Sequence, residues 1–386
     1  MKIAHIQHPY FPGLGYQENH LPAKQREVGH DARIFTSDYL PRTSEEDTVG
    51  TGNFTYSGVP TIRLKASPDL ESIGSVGLQD LQAELEQFDP DIIHSHGLYS
   101  IYALQNVWYN FQNNTKLFVD IHIDNDNFHV DSFPKYVGYY AHRYLVLPFL
   151  KRQVSTFLPV NPYAEQFLTN ELGIRPSMVK LLPLGVDTAV FSPDVDSDSL
   201  REELGINEDE QILISAGNLN KTKDLDVLLQ GFESVVGEDS NIRLLIVGPG
   251  PEEYLQDIRE LVANFGLSDQ VIFCGEVPHE SLPEYYNLAD VGIWPGKLGI
   301  TIIEAIGCGL PVIVCNSAAT DFLTANENGA SFDRGNPVEL ATVISQLVSN
   351  PDQMDKFSQN AVEYAQDTLS WRRIAERSIE FYREEI

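Results

Sequence analysis

At 386 residues, 42% apolar and 10% aromatic, the chain is long for one domain and comfortable for two, each with its own core. The formal net charge of −30 argues against a nucleic-acid partner, whose phosphates need a basic patch, and against an anionic membrane met by charge alone. No apolar run approaches the roughly 20 residues of a membrane-spanning helix.

The acidic residues are dispersed along the sequence, a pattern read as adaptation to a high-salt cytoplasm, where screening removes self-repulsion. Met1–Gln7 is too short and too polar for a signal peptide, and the three cysteines, Cys274, Cys308 and Cys315, have no metal-ligand spacing. Reduced, buried thiols in a cytoplasmic protein are expected.

In chain order, Lys2–Gln7 reads as a strand, Pro12–Gly15 as a glycine loop, Tyr16–Val28 as a helix stopped by Gly29, and Ala32–Thr36 as the next strand. Strand, loop and helix in succession make a βαβ unit and favour a parallel sheet. Asp69–Gly77 reads as a loop, Leu78–Phe88 as a helix, and Pro90–His96 and Lys116–His122 as strands. His122, at a strand's carboxyl end, stands where open α/β sheets bind ligands. His94, His96 and His122 are equally readable as half-buried groups with backbone partners. Asp124-Asn125-Asp126 is a polar loop, since two carboxylates without a third ligand make a poor metal site. Tyr136–Arg152 is rich in aromatics with His142, Arg143, Lys151 and Arg152 interspersed. A core-facing helix is the favoured reading, with contact to a membrane surface or a lipid-linked acceptor as the other. Ser155–Val160 is a strand and Pro162–Leu172 a helix.

Pro183, Gly185 and the acidic run Asp194–Glu210 mark a domain boundary. Beyond it, Gln211–Ala216 reads as a strand, Gly217–Lys223 as a loop and Asp224–Val235 as a helix. Asn241–Val247 and Gln270–Cys274 are strands that end in glycine turns, and Leu282–Leu288 is a short helix. The most informative stretch is VGIWPGKLGITIIEAIGCGLP, Val291 to Pro311. A buried strand breaks at Pro295-Gly296 and resumes as the helix Ile300–Ile306, with Gly299 just before it. Free N–H groups at a helix start form an anion site, Lys297 adds a charge beside it, and Glu304 lies one turn inside. A phosphate site next to a carboxylate that accepts sugar hydroxyls suggests a nucleotide-sugar; a plain strand–loop–helix with a solvated Glu304 is the other reading.

Gly299, Glu304, Ala305, Gly309, Pro311 and Val312 resemble the P-S-x-x-E-G-F-G-x-x-x-x-E-A-x-A-x-G-x-P-V signature of the GT4-type (glycosyltransferase group 1) family. The fragment from Pro12 to Asp38 resembles that family's first unit, Asp91–His96 its D-x-x-H-x-H strand, and Leu182–Asp187 with Phe191 and Pro193 its crossing between domains. Gly217–Lys223 resembles its G-R-L-x-x-x-K-G loop. Two positions depart from the pattern: Gly296 stands where the family has its first glutamate, and Asn218 where it has an arginine.

The resemblance covers essentially the whole chain and implies a GT-B fold, two Rossmann-like domains facing each other across a cleft. The expected limits are 1–183 for the acceptor-side domain, 184–368 for the nucleotide-sugar domain, and 369–386 for a helix crossing back. It implies a retaining transfer from a nucleotide-diphosphate sugar to a glycan, lipid-linked sugar or other acceptor, as in cell-surface glycan synthesis at the inner face of a membrane. No cofactor or metal is expected. His122, Lys223 and Glu304 are the implied catalytic residues. Gly15, Asn218, Lys221, Lys223, the turn Gly275, Glu276 and Val277, and the loop Lys297, Leu298, Gly299 and Ile300 would hold the donor with Glu304. A glycine at 296 would leave room beside the transferred sugar. A binding-only paralogue and a nucleotide-sugar 2-epimerase are the alternatives.

Overall fold

The structure, a computed structural model, describes all residues except 14–16, 40–49, 71–74, 114, 124–135, 137, 138, 141, 238–240 and 298. Gly15, Leu298 and the Asp124–Asp126 loop therefore lie outside the described residues. The chain forms two compact units, Met1–Leu184 with Trp371–Ile386, and Gly185–Ser370.

In the first unit, strands β1 (Lys2–Ile6), β2 (Asp31–Ser37), β3 (Gly52–Tyr56), β4 (Val59–Leu64), β7 (Ile92–His96), β8 (Lys116–Ile121) and β9 (Val154–Pro159) form one sheet in the order β3-β4-β2-β1-β7-β8-β9. All pairs are parallel except β3 with β4. The stretch 66–78, read from sequence as part loop, contains the antiparallel pair β5 (Ala66–Leu70) and β6 (Ser75–Leu78). Side chains alternate across the sheet as the two-residue period requires. Ala4, Ile6, Ile93, Leu117 and Val119 join the core on one face; Ile3, Ile92, Phe118 and Leu158 join the other. That second face is covered by the helices Gln17–Glu27 and Trp371–Glu385, the latter contributing Trp371, Ile374, Ile379 and Tyr382.

The segment between His96 and Lys116, unassigned from sequence, holds the helix Ile101–Asn113. It packs against Leu147–Gln153 and leaves Leu104, Trp108 and Phe111 exposed. The Tyr136–Arg152 stretch is not the core-facing helix favoured from sequence. Leu147 and Leu150 are buried, while Tyr136, Tyr140, Tyr144, Leu145 and Phe149 are exposed.

In the second unit, β10 (Gln211–Ala216), β11 (Ile242–Val247), β12 (Val271–Gly275), β13 (Val291–Trp294), β14 (Val312–Cys315) and β15 (Gly329–Phe332) form an all-parallel sheet. Its order is β12-β11-β10-β13-β14-β15. Near-continuous runs such as Ile212-Leu213-Ile214 and Leu244-Leu245-Ile246 are what a sheet covered on both faces demands. Among the parallel strands of each sheet the order reverses between β1 and β7 and between β10 and β13, and loops diverging at such a point open a crevice at the carboxyl ends. No described helix is long and apolar enough to cross a membrane.

Candidate active site

The reversal in the second unit lies between the loops that follow β10 and β13. The first leaves β10 at Gly217, where φ is +134°. Asn220 accepts from the Thr222 amide at 2.9 Å and caps the short turn Lys221–Lys223, which leads to the helix Leu225–Val235. The second loop is locked to the first twice: the Lys297 amide donates to Thr222 O at 2.7 Å, and Lys223 Nζ donates to Lys297 O at 2.7 Å. Burial, then the neighbouring Lys297 charge, lowers the Lys223 pKa to about 8.

Gly296 sits inside this junction. A Cβ there would stand 2.4 Å from Thr222 O and 2.6 Å from the Lys223 carbonyl carbon. The room expected from the missing glutamate is not there: position 296 faces backbone, and a side chain cannot enter without displacing Lys223.

The helix Ile300–Gly307 begins at Gly299, which offers no side-chain cap. Its start is tied to β10 by Thr301 Oγ1 and Trp294 Nε1, which both donate to Ala216 O at 3.0 and 2.9 Å. The structure thus brings Lys223, Lys297, Gly299 and Ile300 to one place. One turn on, Glu304 is 3% exposed; its Oε1 lies 2.7 Å from His279 Nε2, and its Oε2 has no hydrogen-bond partner among the described residues. The Glu304 contact outweighs partial burial and raises the His279 pKa. Asn218 and Lys221 are exposed on the first loop. At the end of β12 the Gly275 carbonyl accepts from Gly248 N at 2.7 Å, while the Glu276 side chain points to solvent. His279 was not singled out from sequence; it lies in a turn 25 residues before Glu304, and no local pattern announces the pairing.

The reversal in the first unit carries a different chemistry. His5 on β1, His94 and His96 on β7 and Asp120 on β8 are buried side by side at the carboxyl ends of adjacent strands, with His122 just beyond β8. Asp120 Oδ2 lies 2.6 Å from His96 Nδ1 and 3.5 Å from both His94 Nε2 and His122 Nε2, while Oδ1 accepts from Gly97 N at 3.1 Å. Burial alone would raise the Asp120 carboxyl; His96, His122 and His94 outweigh it and hold it well below the carboxylate range. His94 is lowered to about 4, chiefly by burial. The His122 side chain is 41% exposed, and Asp120 overcomes desolvation to raise its pKa. The partners of His94 and His96 are thus side chains, in contrast to the backbone partners read from sequence. Among the described residues, Asp120 and Glu304 are the two buried carboxylates of a chain with 56 acidic residues, and each lies beside a reversal of strand order.

Two doubly wound, largely parallel sheets, one with a lysine-lined helix start and a half-satisfied buried carboxylate, fit the GT-B class of glycosyltransferases, and the matches to known proteins bear this out. Residues 20–190 match the model described as Glycosyltransferase Family 4, and residues 196–364 that of Glycosyl transferases group 1. The alpha-monoglucosyldiacylglycerol synthase of Streptococcus pneumoniae is 24% identical over 99% of this chain and 85% of its own length. A GDP-mannose-dependent phosphatidylinositol monomannoside mannosyltransferase of Mycolicibacterium smegmatis is 28% identical over 50% of this chain and 52% of its own. Among solved structures, a glycosyltransferase from Rickettsia africae superposes with a TM-score of 0.74 at 18% identity, over 100% of this chain and 98% of that one. Anabaena HepE in complex with UDP gives 0.74 at 17% identity over the full length of both. The chain belongs to the GT4-type, group 1 glycosyltransferases.

Proposed function

We propose that the protein transfers a glycosyl group, with retention of configuration, from a nucleoside-diphosphate sugar to a lipid-anchored acceptor at a membrane surface. The observation that carries the donor half is the Glu304 carboxylate, buried with one oxygen unpartnered among the described residues. An orphaned buried acceptor is costly unless a ligand completes it, and vicinal ribose hydroxyls are suited to that. The first-turn amides after Gly299, with Lys223 and Lys297, are suited to the diphosphate. In the reaction the bond from C1 to the diphosphate oxygen breaks and its electron pair leaves with the diphosphate. The acceptor oxygen bonds C1 on the same face, and the acceptor proton passes to the departing phosphate oxygen. The chain supplies positioning and neutralisation of the developing charge. His122 stands beside the transferred sugar in this reading.

The acceptor half rests on the exposed aromatic surface of the first unit. Leu104, Trp108 and Phe111 are spaced on one face of their helix, and Tyr136, Tyr140, Tyr144, Leu145 and Phe149 follow in the segment whose helix packs against it. Tyr144 is 65% exposed and Leu145 78%, values foreign to a core-facing helix. In a chain of net charge −30, the stretches Ile92–Val119 and Tyr136–Ala164 contain no aspartate or glutamate. The two segments that carry this surface thus contribute none of the chain's acidic charge, the Glu171 carboxylate 3.8 Å from Arg143 coming from outside them, and that suits shallow insertion of aromatics at the headgroup boundary. The relatives named for diacylglycerol and phosphatidylinositol products favour the same acceptor class.

The test is release of nucleoside diphosphate from a panel of UDP- and GDP-sugars at high salt, with and without vesicles containing a glycosylated or free diacylglycerol. Release that requires the vesicles, with a product of the donor's anomeric configuration, is expected. Absence of release from every donor overturns the donor reading; release with water-soluble glycans alone overturns the lipid one.

A further inference from the structure

The buried groups of the first unit form a ring of contacts, hydrogen-bonded from His96 round to His94 and closed at Asp120 Oδ2 by two charge contacts that lack hydrogen-bond geometry. Asp120 Oδ2 meets His96 Nδ1 at 2.6 Å; His96 Nε2 meets His5 Nδ1 at 3.0 Å; His5 Nε2 meets Gln25 Oε1 at 2.7 Å. Gln25 Nε2 donates to Tyr382 OH at 3.3 Å and to Ser378 Oγ at 2.9 Å; Tyr382 OH meets His94 Nδ1 at 2.5 Å; and His94 Nε2 returns to Asp120 Oδ2 at 3.5 Å. The six members come from β1, the helix Gln17–Glu27, β7, β8 and the closing helix Trp371–Glu385, and all are buried. His122 reaches the same carboxylate oxygen from outside the ring, half exposed.

The order of protons follows from the inventory of donors and acceptors. With the Gln25 amide nitrogen on Ser378 and Tyr382, its oxygen accepts from His5 Nε2, so His5 Nδ1 is an acceptor and His96 Nε2 the donor to it; His96 then needs a second proton on Nδ1, which faces the Asp120 carboxylate at 2.6 Å. Tyr382 receives from Gln25 and has one proton to give, which goes to His94 Nδ1. His94 then carries its own proton on Nε2, the nitrogen facing Asp120. The Tyr382 hydroxyl thus selects the His94 tautomer, and with it one of the groups that hold the carboxylate against His122.

We propose that Tyr382, on the closing helix, is a positioning residue for His122: through His94 it fixes the Asp120 carboxylate, and the carboxylate fixes the imidazole. This rests on the reading that His122 works beside the transferred sugar. Tyr382 and His122 are 260 positions apart in sequence, and two side chains, His94 and Asp120, stand between them in space.

The experiment joins a spectrum to a kinetic cycle in the full-length protein. In nitrogen-15 spectra of the parent, His94 should be protonated on Nε2, and in Tyr382→Phe that tautomer should no longer be held. The same variant should lower kcat for glycosyl transfer about tenfold, the low end of what outer partners of metal-bound imidazoles contribute, with little change in donor KM. In a His122→Ala background, Tyr382→Phe should have no further effect. Ile379→Val, which loosens the same helix without touching the ring, should leave kcat unchanged. An unchanged His94 tautomer, a loss that persists in His122→Ala, or an equal loss in Ile379→Val overturns the inference. Parent-like activity of His122→Ala alone overturns instead the role given to His122.

Discussion

His279 Nε2 lies 2.7 Å from Glu304 Oε1, and this contact engages only one of two oxygens in a carboxylate that is 3% exposed. The histidine holds one oxygen and leaves the other for a ligand. Glu304→Gln keeps the shape and loses the charge, so donor affinity should fall while the fold persists. His279→Ala frees the carboxylate to rotate and should weaken donor binding by about 1 kcal/mol, a charge-assisted contact discounted for the imidazole's exposure. Calorimetric titration with the preferred nucleoside diphosphate measures both; a misfolded Glu304→Gln would make that residue structural.

The same pair has a pH signature. The folded pKa of His279 is raised by Glu304, so the stabilisation is fully present below the unfolded value of about 6.5 and is lost as pH rises through the higher folded value. The melting temperature of the parent should exceed that of His279→Gln by more at pH 5.5 than at pH 8.5. An equal gap at both would place the raised pKa elsewhere.

Lys223 titrates at about 8, because burial and Lys297 disfavour its charge. A bound diphosphate restores the charged form, so donor affinity should decline as pH rises through 8. Lys223→Ala should remove that decline and cost about 1.5–3 kcal/mol of donor binding, the usual worth of a hydrogen bond to a charged group. Part of that loss reflects the Lys297 carbonyl left without its donor. A parent whose affinity is flat from pH 6.5 to 9 would remove Lys223 from the phosphate site.

Gly296→Ala tests the junction of the two loops with a single methyl group. The added carbon would meet Thr222 O at 2.4 Å, so the turn Lys221–Lys223 must move. A stability loss of about 1–3 kcal/mol, typical of overpacking, should accompany a larger loss of donor affinity. Gly296→Glu should be inactive for the same reason. If Gly296→Ala binds donor as the parent does, the loops are looser than their contacts imply.

Asp120→Asn removes the charge that His94, His96 and His122 share. The buried histidines lose the acceptor they face, and stability should fall by about 1–3 kcal/mol, the cost of leaving a buried polar group unsatisfied. The His122 pKa, raised by this carboxylate against desolvation, should fall below the ordinary histidine value. Proton spectra of the His122 ring across pH 4 to 9 read it directly, and an unmoved His122 would deny the pairing.

Much of the architecture was legible because parallel strands advertise themselves as short apolar runs. Ile212–Ile214 and Leu244–Val247 need no context to be read, and the loop–helix around Gly299 follows from the break at Pro295-Gly296. Exposed surface helices are harder. Ile101–Asn113 has no charged residue to mark a solvent face, and Tyr136–Arg152 has the composition of a core helix while its aromatics face outward. The polar partners were illegible for another reason. Asp120 interrupts the run Leu117–Ile121, a sign that a buried carboxylate must be answered by donors, yet His5, Gln25 and Tyr382 are scattered over the whole chain. Pairings of that range are set by topology, which no local pattern carries.

The closing helix Trp371–Glu385 has a consequence for biogenesis. Most of the first unit, Met1–Leu184, precedes the second in the chain, yet the side chains that cover one face of its sheet, and the tyrosine that closes its ring, leave the ribosome after the whole of Gly185–Ser370. While the chain is being translated, Ile3, Ile92 and Phe118 lack that cover, and the second unit, contiguous in sequence, can fold first. The order of maturation is then the reverse of the order of synthesis, and a chain stopped short of Trp371 holds a complete second unit beside an unfinished first.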